Sequence, residues 1–255
     1  MIPILLLVFG AFGIGFLSAM AGIGGGSLLV PFLILALGYD VKVAIATSLM
    51  CIVVTSSSAS SEYLKRGLVD VKTALLLEPL TALGAIMGAY VTLSLPVNIL
   101  KVALGALFLY ISTETIWKAL HERKEQVPAP RDVAPFRKAI SSVLSFIAGL
   151  TSGVFGIGGG VIKVPIMTYV MKLPIKTAVA TSSFMVGLTA ASGEIVYLTK
   201  GLTDPLTATL LSVGIIPGAI LGAKSLKKTK PQYVKIVFGA VLLYASLRLL
   251  MSITL

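Results

Sequence analysis

The chain has 255 residues, of which 56% are hydrophobic and 12% charged, and its formal net charge is +11. Soluble domains carry about a quarter charged residues, so this composition excludes an ordinary water-soluble globular protein and places most of the chain in lipid. With one cysteine (Cys51) and one histidine (His121), the chain cannot form an internal disulfide or a metal cluster of these ligands, which argues against thiol or zinc catalysis and predicts no metal and no cofactor.

The first half of the chain contains apolar segments of unequal length. They cover about 2–21, 27–38, 41–61, 71–95 and 97–117. Several reach the roughly 20 residues that a helix needs to cross a bilayer core of about 30 Å, and none alternates like a strand of a membrane barrel. The second segment would extend only about 18 Å as a helix, so it is predicted to be half of a broken or re-entrant element. The pattern predicts an all-α polytopic membrane protein.

A glycine-rich run, Gly-Ile-Gly-Gly-Gly at 22–26, precedes the short segment. Without Cβ atoms its backbone can approach a ligand closely, and a short helix after it would direct unpaired N–H groups and a positive N-terminal end at an anion. Ser27 is placed to cap that helix. Glycines in membrane helices also serve close packing alone, so that interpretation stays open. The run is not a nucleotide-binding loop, because no βαβ pattern surrounds it.

The third and fourth segments are joined by a turn with its own signals. Gly67 can end one helix and Asp70 can cap the next. In the fourth segment, Gly84 and Gly88 form a GxxxG pair, which predicts helix packing. In the third segment, Thr47 and Ser48 supply hydroxyls that could coordinate an oxyanion, or bond to the backbone and ease packing instead.

The whole pattern recurs after an offset of 134 residues, beginning with a second Gly-Ile-Gly-Gly-Gly run at 156–160. The matched pairs include Val30-Pro31 with Val164-Pro165, Ala46-Thr47-Ser48 with Ala180-Thr181-Ser182, Tyr63-Leu64 with Tyr197-Leu198, Asp70 with Asp204, and Gly84-Ala85-Ile86 with Gly218-Ala219-Ile220. A register without gaps over about ninety residues predicts two copies of one unit. The copies are residues 1–117 and 139–255, and 118–138 is the linker.

Candidate site residues come from both copies, because two inverted copies place a substrate between their broken helices. The predicted substrate-binding set is Gly24, Gly25, Gly26, Ser27, Thr47, Ser48, Gly158, Gly159, Gly160, Lys163, Thr181 and Ser182. Ionisable residues in apolar segments are functional candidates by default. Glu194 and Glu78 stand where the other copy has serine, and either carboxylate could carry a coupling proton. Lys163 replaces Leu29, and it either meets the substrate or extends to the membrane interface.

The Lys and Arg residues indicate how the copies are oriented. If the second copy is inverted, sixteen of these residues lie on one side and four on the other, whereas parallel copies divide them eleven to nine. Because loops rich in Lys and Arg stay in the cytoplasm, the counts predict inverted copies, a cytoplasmic linker and both termini outside. This orientation also explains the basic net charge, so no nucleic-acid partner is expected.

Three duplicated motifs carry a family resemblance: G-x-G-G-G followed by Val-Pro, Ala-Thr-Ser in the next helix, and an R/K-G-L-x-D turn at 66–70 and 200–204. Over essentially the whole chain this resembles the sulfite exporter TauE/SafE family, also called the TSUP family. The resemblance implies transport of small sulfur-containing anions such as sulfite, thiosulfate or organosulfonates, usually outward across the cytoplasmic membrane.

These observations predict a secondary transporter that works by alternating access. No ATP-binding motif is present, so an ion gradient or the gradient of the substrate itself would supply the energy. An anion channel is the nearest alternative, and a membrane partner subunit without transport is another. An enzyme would need a nucleophile and a base together, which this sequence does not offer. The expected partners are a small anion and the lipid bilayer, and a homodimer is allowed for.

Overall fold

A computed structural model describes residues 4–121, 133–226 and 231–254, and every regular element in these ranges is helical. The elements are α1 Ile4–Ala21, α2 Gly26–Leu35, α3 Val41–Lys65, α4 Val71–Ser94, α5 Val97–His121, α6 Pro135–Phe155, α7 Gly160–Pro165, a π-helical segment Ile166–Val170, α8 Ile175–Thr199, α9 Pro205–Ser225 and α10 Pro231–Thr254. Six of these helices, α3, α4, α5, α6, α8 and α9, are long and apolar enough to cross a membrane. The predicted all-α polytopic membrane fold is therefore confirmed.

The bounds of the helices repeat with the offset found in the sequence. Helices α3 and α8 correspond residue for residue, and the short helices α2 and α7 begin at equivalent glycines. The copies differ after the shared Val-Pro, because α2 continues as an α-helix while α7 changes to the π-helical segment. Helix α5 runs to His121 and α6 begins at Pro135, so both extend into the predicted linker. Residues 122–132 of that linker lie outside the described ranges.

The long helices pack mainly across the two copies, whereas the half-helices α2 and α7 also pack against α3 and α8 of their own copies. Helix α1 lies along α9 and α4 lies along α6, with backbones in close contact. A Cβ built at Gly84 would lie 2.3 Å from the carbonyl oxygen of Phe146, and one built at Gly218 would lie 2.2 Å from that of Phe12. Real side chains do not fit at such distances, so the GxxxG glycines serve helix packing, as predicted.

Equivalent helices of the two copies pack against each other in opposite directions. Gly105, early in α5, contacts Leu250 near the end of α10, and Gly239, early in α10, contacts Ile116 near the end of α5. Antiparallel contact between equivalent helices is the arrangement that inverted copies would produce. The sides of the membrane that the helix ends face stay a prediction.

The turns into α4 and α9 have the predicted chemistry. Gly67 and Gly201 adopt positive φ of 61° and 65° after the preceding helix. Asp70 then caps α4 by accepting from the N–H of Thr73, and Asp204 caps α9 by accepting from two backbone N–H groups. These caps fix the starts of two long helices against the ends of α3 and α8.

Candidate functional site

The two glycine runs meet at the centre of the described helices. A Cβ at Gly26 would lie 2.1 Å from the carbonyl oxygen of Gly156, and one at Gly160 would lie 2.5 Å from the Cα of Ile23. Gly24 and Gly158 both lie against Ile52 and Val186, which are equivalent residues about halfway along α3 and α8. The fold therefore brings together the two runs that the sequence proposed as one site.

The glycines of the runs are required by backbone conformation and by space. Gly24 and Gly25 have φ of +74° and +99°, and Gly158 and Gly159 have φ of +79° and +72°. Side chains with L chirality are strained there. A Cβ at Gly24 would also lie 2.2 Å from Val186, whereas one at Gly25 would meet nothing closer than the Ser18 hydroxyl at 3.1 Å. Close packing thus accounts for most of these glycines, and Gly25 has the most room.

The start of α2 presents unpaired backbone donors. Its N-cap is Gly25 in the left-handed conformation, so the prediction that Ser27 caps the helix is wrong. The first N–H groups with acceptors are those of Leu28 and Leu29, which both donate to the carbonyl of Gly25. Within the described residues, the N–H groups from 24 to 27 donate to no acceptor. Such a helix start attracts anions.

Serine hydroxyls surround this helix start. The Oγ atoms of Ser18, Ser27 and Ser56 are buried and have no hydrogen-bond partner in the described part of the chain. The Oγ of Ser18 lies 3.1 Å from the Cβ position of Gly25, and the Oγ of Ser56 lies 3.1 Å from that of Gly24. A buried hydroxyl without a partner costs about 1–3 kcal/mol, so a bound acceptor would relieve that cost.

The sequence reading missed Ser18 as a site residue. The repeat could have pointed to Ser18, because the equivalent residue of the second copy is also a serine, Ser152. Ser152 is fully buried too, and its hydroxyl has no hydrogen-bond partner among the described residues. Ser56 is likewise outside the predicted substrate-binding set. Its neighbours Thr55 and Ser58 do bond to carbonyls of their own helix, as the packing interpretation expects.

The predicted Thr-Ser pairs hold the two copies together. Ser48 donates to the carbonyl of Gly156 at 2.8 Å, and Ser182 donates to that of Gly22 at 2.8 Å. The hydroxyl oxygen of Thr47 accepts from the N–H of Asp204 at 3.0 Å. Likewise the hydroxyl oxygen of Thr181 accepts from the N–H of Asp70 at 2.9 Å. All four side chains therefore fix the glycine runs and the α4 and α9 caps across the copies.

Lys163 lies in a buried ion pair. Its Nζ is 3.2 Å from Glu78 Oε2, and it donates to the hydroxyl of Thr189. That hydroxyl lies 2.6 Å from Glu78 Oε1, which closes a triangle of three side chains. Lys163 is 1% exposed, so the alternative in which it extends to the membrane interface is wrong. The compensating anion in this structure is Glu78, a pairing that the sequence reading did not anticipate.

Glu194 of α8 takes no part in the ion pair of Lys163 and Glu78. Its Oε1 accepts from the hydroxyl of Thr203 at 2.6 Å, and its Oε2 has no partner among the described residues. Glu194 is buried, and Glu78 and Glu194 share no hydrogen-bond partner. The two predicted proton-carrying carboxylates are thus in different environments.

Outside the membrane-spanning segments, the loop after α2 contacts the start of α9. The hydroxyl of Tyr39 donates to Asp204 Oδ2 at 2.5 Å and also lies beside the hydroxyl of Thr207. The bond from Tyr39 holds the pKa of Asp204 below its usual value. Partial burial, together with this bond, raises the pKa of Tyr39. The contact joins the end of one copy's half-helix to the other copy.

The two half-helices are covered unequally. Helix α10 packs directly against α2. Between α5 and the segment formed by α7 and the π-helical turn lies a cavity of about 340 Å³, whose lining includes Leu107, Ile111, Val161, Ile166 and Tyr169. The half-helix of the first copy is therefore closed off on the side where that of the second copy is open.

Comparison with known proteins places the chain among membrane transporters. The family described as "Sulfite exporter TauE/SafE" matches residues 7–249. The chain is 29% identical, over 97% of each protein, to the probable membrane transporter protein YunE of Bacillus subtilis. It is 30% identical to a probable membrane transporter protein of Haemophilus influenzae, over 80% of this chain and 76% of that protein.

A plant relative shows the same kinship over a shorter stretch. The chain is 35% identical to sulfite exporter TauE/SafE family protein 6 of Arabidopsis thaliana, over 38% of this chain and 23% of that protein. No solved structure gives a significant match. The matches confirm the resemblance drawn from the motifs and the prediction of a membrane transporter rather than an enzyme.

Proposed function

Because the chain belongs to the sulfite exporter TauE/SafE family, we propose that it is a secondary transporter of a small sulfur-containing anion, with sulfite, thiosulfate and organosulfonates as the candidates. One observation carries the choice of an anion: the start of α2 combines unpaired N–H groups with three buried, unpartnered hydroxyls. All of these groups donate hydrogen bonds. An oxyanion offers several acceptor oxygens in a small volume, which suits this set.

Alternating access is the mechanism that fits two copies in unequal states. Helix α10 covers α2, while α5 leaves a cavity beside α7. If the copies exchange these packings, α5 closes on α7 and α10 leaves α2, and the central site opens to the opposite side. We propose export from the cytoplasm, with the linker inside and both termini outside, on the name of the family and the distribution of Lys and Arg.

An anion channel is the rival function, and transport measurements separate the two. Purified protein in liposomes should show saturable uptake of radiolabelled thiosulfate, and unlabelled thiosulfate inside should accelerate it by counterflow. A channel would give no counterflow, and a subunit without transport would give no uptake.

The site is tested by the double variant Ser18→Ala/Ser56→Ala. Removing both hydroxyls should lower thiosulfate affinity at least about tenfold, the scale of about 1.4 kcal/mol. The matched control is Ser58→Ala, which also removes a hydroxyl from α3, but one that bonds to Val54 of its own helix. Equal affinities for the double variant and the control would remove the start of α2 from the site.

A further inference from the structure

The ion pair of Lys163 and Glu78 links three helices in the interior of the protein. Lys163 comes from α7, Glu78 from α4 and Thr189 from α8. Exposed fractions are 1% for Lys163 and 7% for Glu78, so the charges depend on each other for compensation. Removing one member would leave an uncompensated buried charge, which is strongly unfavourable.

The place that the repeat relates to this ion pair has no charge. Leu29, Thr55 and Ser212 occupy the positions of Lys163, Thr189 and Glu78. Leu29 is fully buried, Thr55 donates to the carbonyl of Cys51, and Ser212 donates to that of Ala208. The same packing of helices therefore forms without an ion pair. Since apolar replacement of a buried ion pair is often neutral or stabilising, stability of the fold does not explain these charges.

We propose that Lys163 and Glu78 form an exchangeable ion pair that couples anion movement to one proton. The transported anion takes the place of Glu78 beside Lys163, and the released Glu78 carboxylate binds a proton. One ion pair is replaced by another, one O–H bond forms on Glu78, and no other bond changes. The step is reversed when the anion leaves. This inference rests on the proposed anion transport and names its coupling ion.

Thr189 is suited to serve both states of the pair. Its oxygen accepts from Lys163 while its hydroxyl lies 2.6 Å from Glu78 Oε1. When Glu78 carries the proton, the Thr189 oxygen can accept that proton's hydrogen bond instead, because a hydroxyl both donates and accepts. The hydroxyl of Thr189 itself then donates to the carbonyl of Met185, 3.0 Å away, so neither state leaves a buried donor unpaired.

On the described helices α4, α6 and α8, which pack around the pair, the other charged groups lie away from it, and Glu114 of α5 lines the cavity beside α7. Thr81 of α4 lies against Gly149 of α6. One helical turn earlier on both helices, Glu78 is therefore level with Ser145. The buried hydroxyl of Ser145 has no partner among the described residues. The π-helical segment contributes Met167 and α8 contributes Met185. The other charged groups of α4, α6 and α8 do not take part in the pair. Near the helix ends, the exposed ones are Lys72, Arg137, Lys138 and Lys176. Glu194 accepts from Thr203 instead.

The experiment measures thiosulfate and proton movement together in liposomes. Thiosulfate remains a dianion over the working pH range, so any proton that moves is bound by the protein and not by the probe. In the unaltered protein, an imposed pH gradient should drive accumulation of labelled thiosulfate, and a trapped pH dye should report protons moving with it. Thiosulfate transport without proton movement would overturn the inference and leave the proposed function intact. Absence of transport of every tested anion would instead overturn the proposed function.

Substitutions locate the coupling. Glu78→Gln keeps the shape but cannot change its protonation, and its amide has one acceptor oxygen where the carboxylate accepts from both Lys163 and Thr189. Lys163 is then compensated only when the anion is bound, so counterflow should continue while accumulation driven by the pH gradient is lost. Lys163→Met/Glu78→Gln leaves no unpaired buried charge, so it should fold, lose the same drive and bind thiosulfate roughly tenfold or more weakly. Ser212→Ala changes the residue of the second copy that is equivalent to Glu78 and should retain coupling. Proton-driven accumulation by either Glu78 variant at the level of the Ser212→Ala control would overturn the inference.

Discussion

Ser48 of the first copy donates to the carbonyl of Gly156 in the second copy at 2.8 Å, and the equivalent Ser182 donates to Gly22 at the same distance. Each bond fixes the first residue of the opposite glycine run. Because Gly156 and Gly22 both adopt positive φ at the end of a helix, these bonds determine where each run turns towards the centre. The two halves of the site are therefore positioned by each other.

Loss of one of these bonds should destabilise the protein. In Ser48→Ala the buried carbonyl of Gly156 loses its cross-copy donor, which should cost about 1–3 kcal/mol. Thermal unfolding of the purified protein in detergent measures the effect. The control is Ser58→Ala, whose hydroxyl bonds only to its own helix. Equal unfolding temperatures for the two variants would contradict a role for the bond in fixing the run.

A substitution at Gly25 should impair transport beyond its cost to stability. Gly25→Ala introduces left-handed strain of about 1–2 kcal/mol and places a methyl group 3.1 Å from the Ser18 hydroxyl, next to the unpaired N–H groups. The control is Gly38→Ala, which also adds a Cβ at a positive φ, +72° against +99° at Gly25, but has no atom within 4 Å of the new Cβ. We expect destabilisation in both variants, larger at Gly25 because its φ lies further from the left-handed region that alanine can adopt, and loss of thiosulfate counterflow only in Gly25→Ala. Equal transport would indicate that Gly25 serves backbone conformation alone.

The contact between Tyr39 and Asp204 should make stability depend on pH. The pKa of Asp204 is lowered chiefly by the hydrogen bond from Tyr39, so its contribution to stability is present above the ordinary carboxyl pKa of about 3.9 and is lost as pH falls through the lowered value. Tyr39→Phe should therefore unfold at a lower temperature than the unaltered protein near neutral pH. That difference should shrink at about pH 3.

Unfolding temperatures at the two pH values test this directly. Tyr90→Phe is the control, since Tyr90 is 57% exposed on α4. A deficit of Tyr39→Phe that is the same at both pH values would show that the missing hydroxyl acts through packing or through Thr207, and not through the charge of Asp204.

The features that the sequence predicted are those encoded locally or by the repeat. Gly67 and Asp70 carry turn and cap preferences of their own, and the shortness of the second segment follows from its length alone. The prediction that Ser27 caps α2 was wrong, because Gly25 is the N-cap residue and adopts a positive φ there. The π-helical segment was not foreseen, because both copies share the preceding Val-Pro.

Contacts between residues far apart in the sequence could not be predicted from local sequence patterns. Lys163 and Glu78 are 85 residues apart, and Ser48 and Gly156 are 108 apart. A signal for the first pair did exist, since both members depart from the repeat with opposite charges, Lys163 at Leu29 and Glu78 at Ser212. Two opposite charges that both break a repeat are expected to compensate each other in lipid. No comparable signal marks the partner of Ser48, because backbone carbonyls have no sequence identity.

The last prediction concerns the sides of the membrane. Ile116 near the end of α5 packs beside Gly239 near the start of α10, so the end of α5 and the start of α10 lie on the same side. The sequences that follow α5 and precede α10 are rich in Lys and Arg, which predicts that this side faces the cytoplasm. The end of α10 lies beside the start of α5 and should face outward.

Reporters inserted within 121–132 and after Lys228 should both mark the cytoplasm, and a reporter at the C-terminus should not. Alkaline phosphatase and green fluorescent protein fusions measure this with opposite responses, so low expression is not mistaken for location. Opposite locations for the two internal reporters would contradict the antiparallel packing of α5 and α10 and the inverted copies with it.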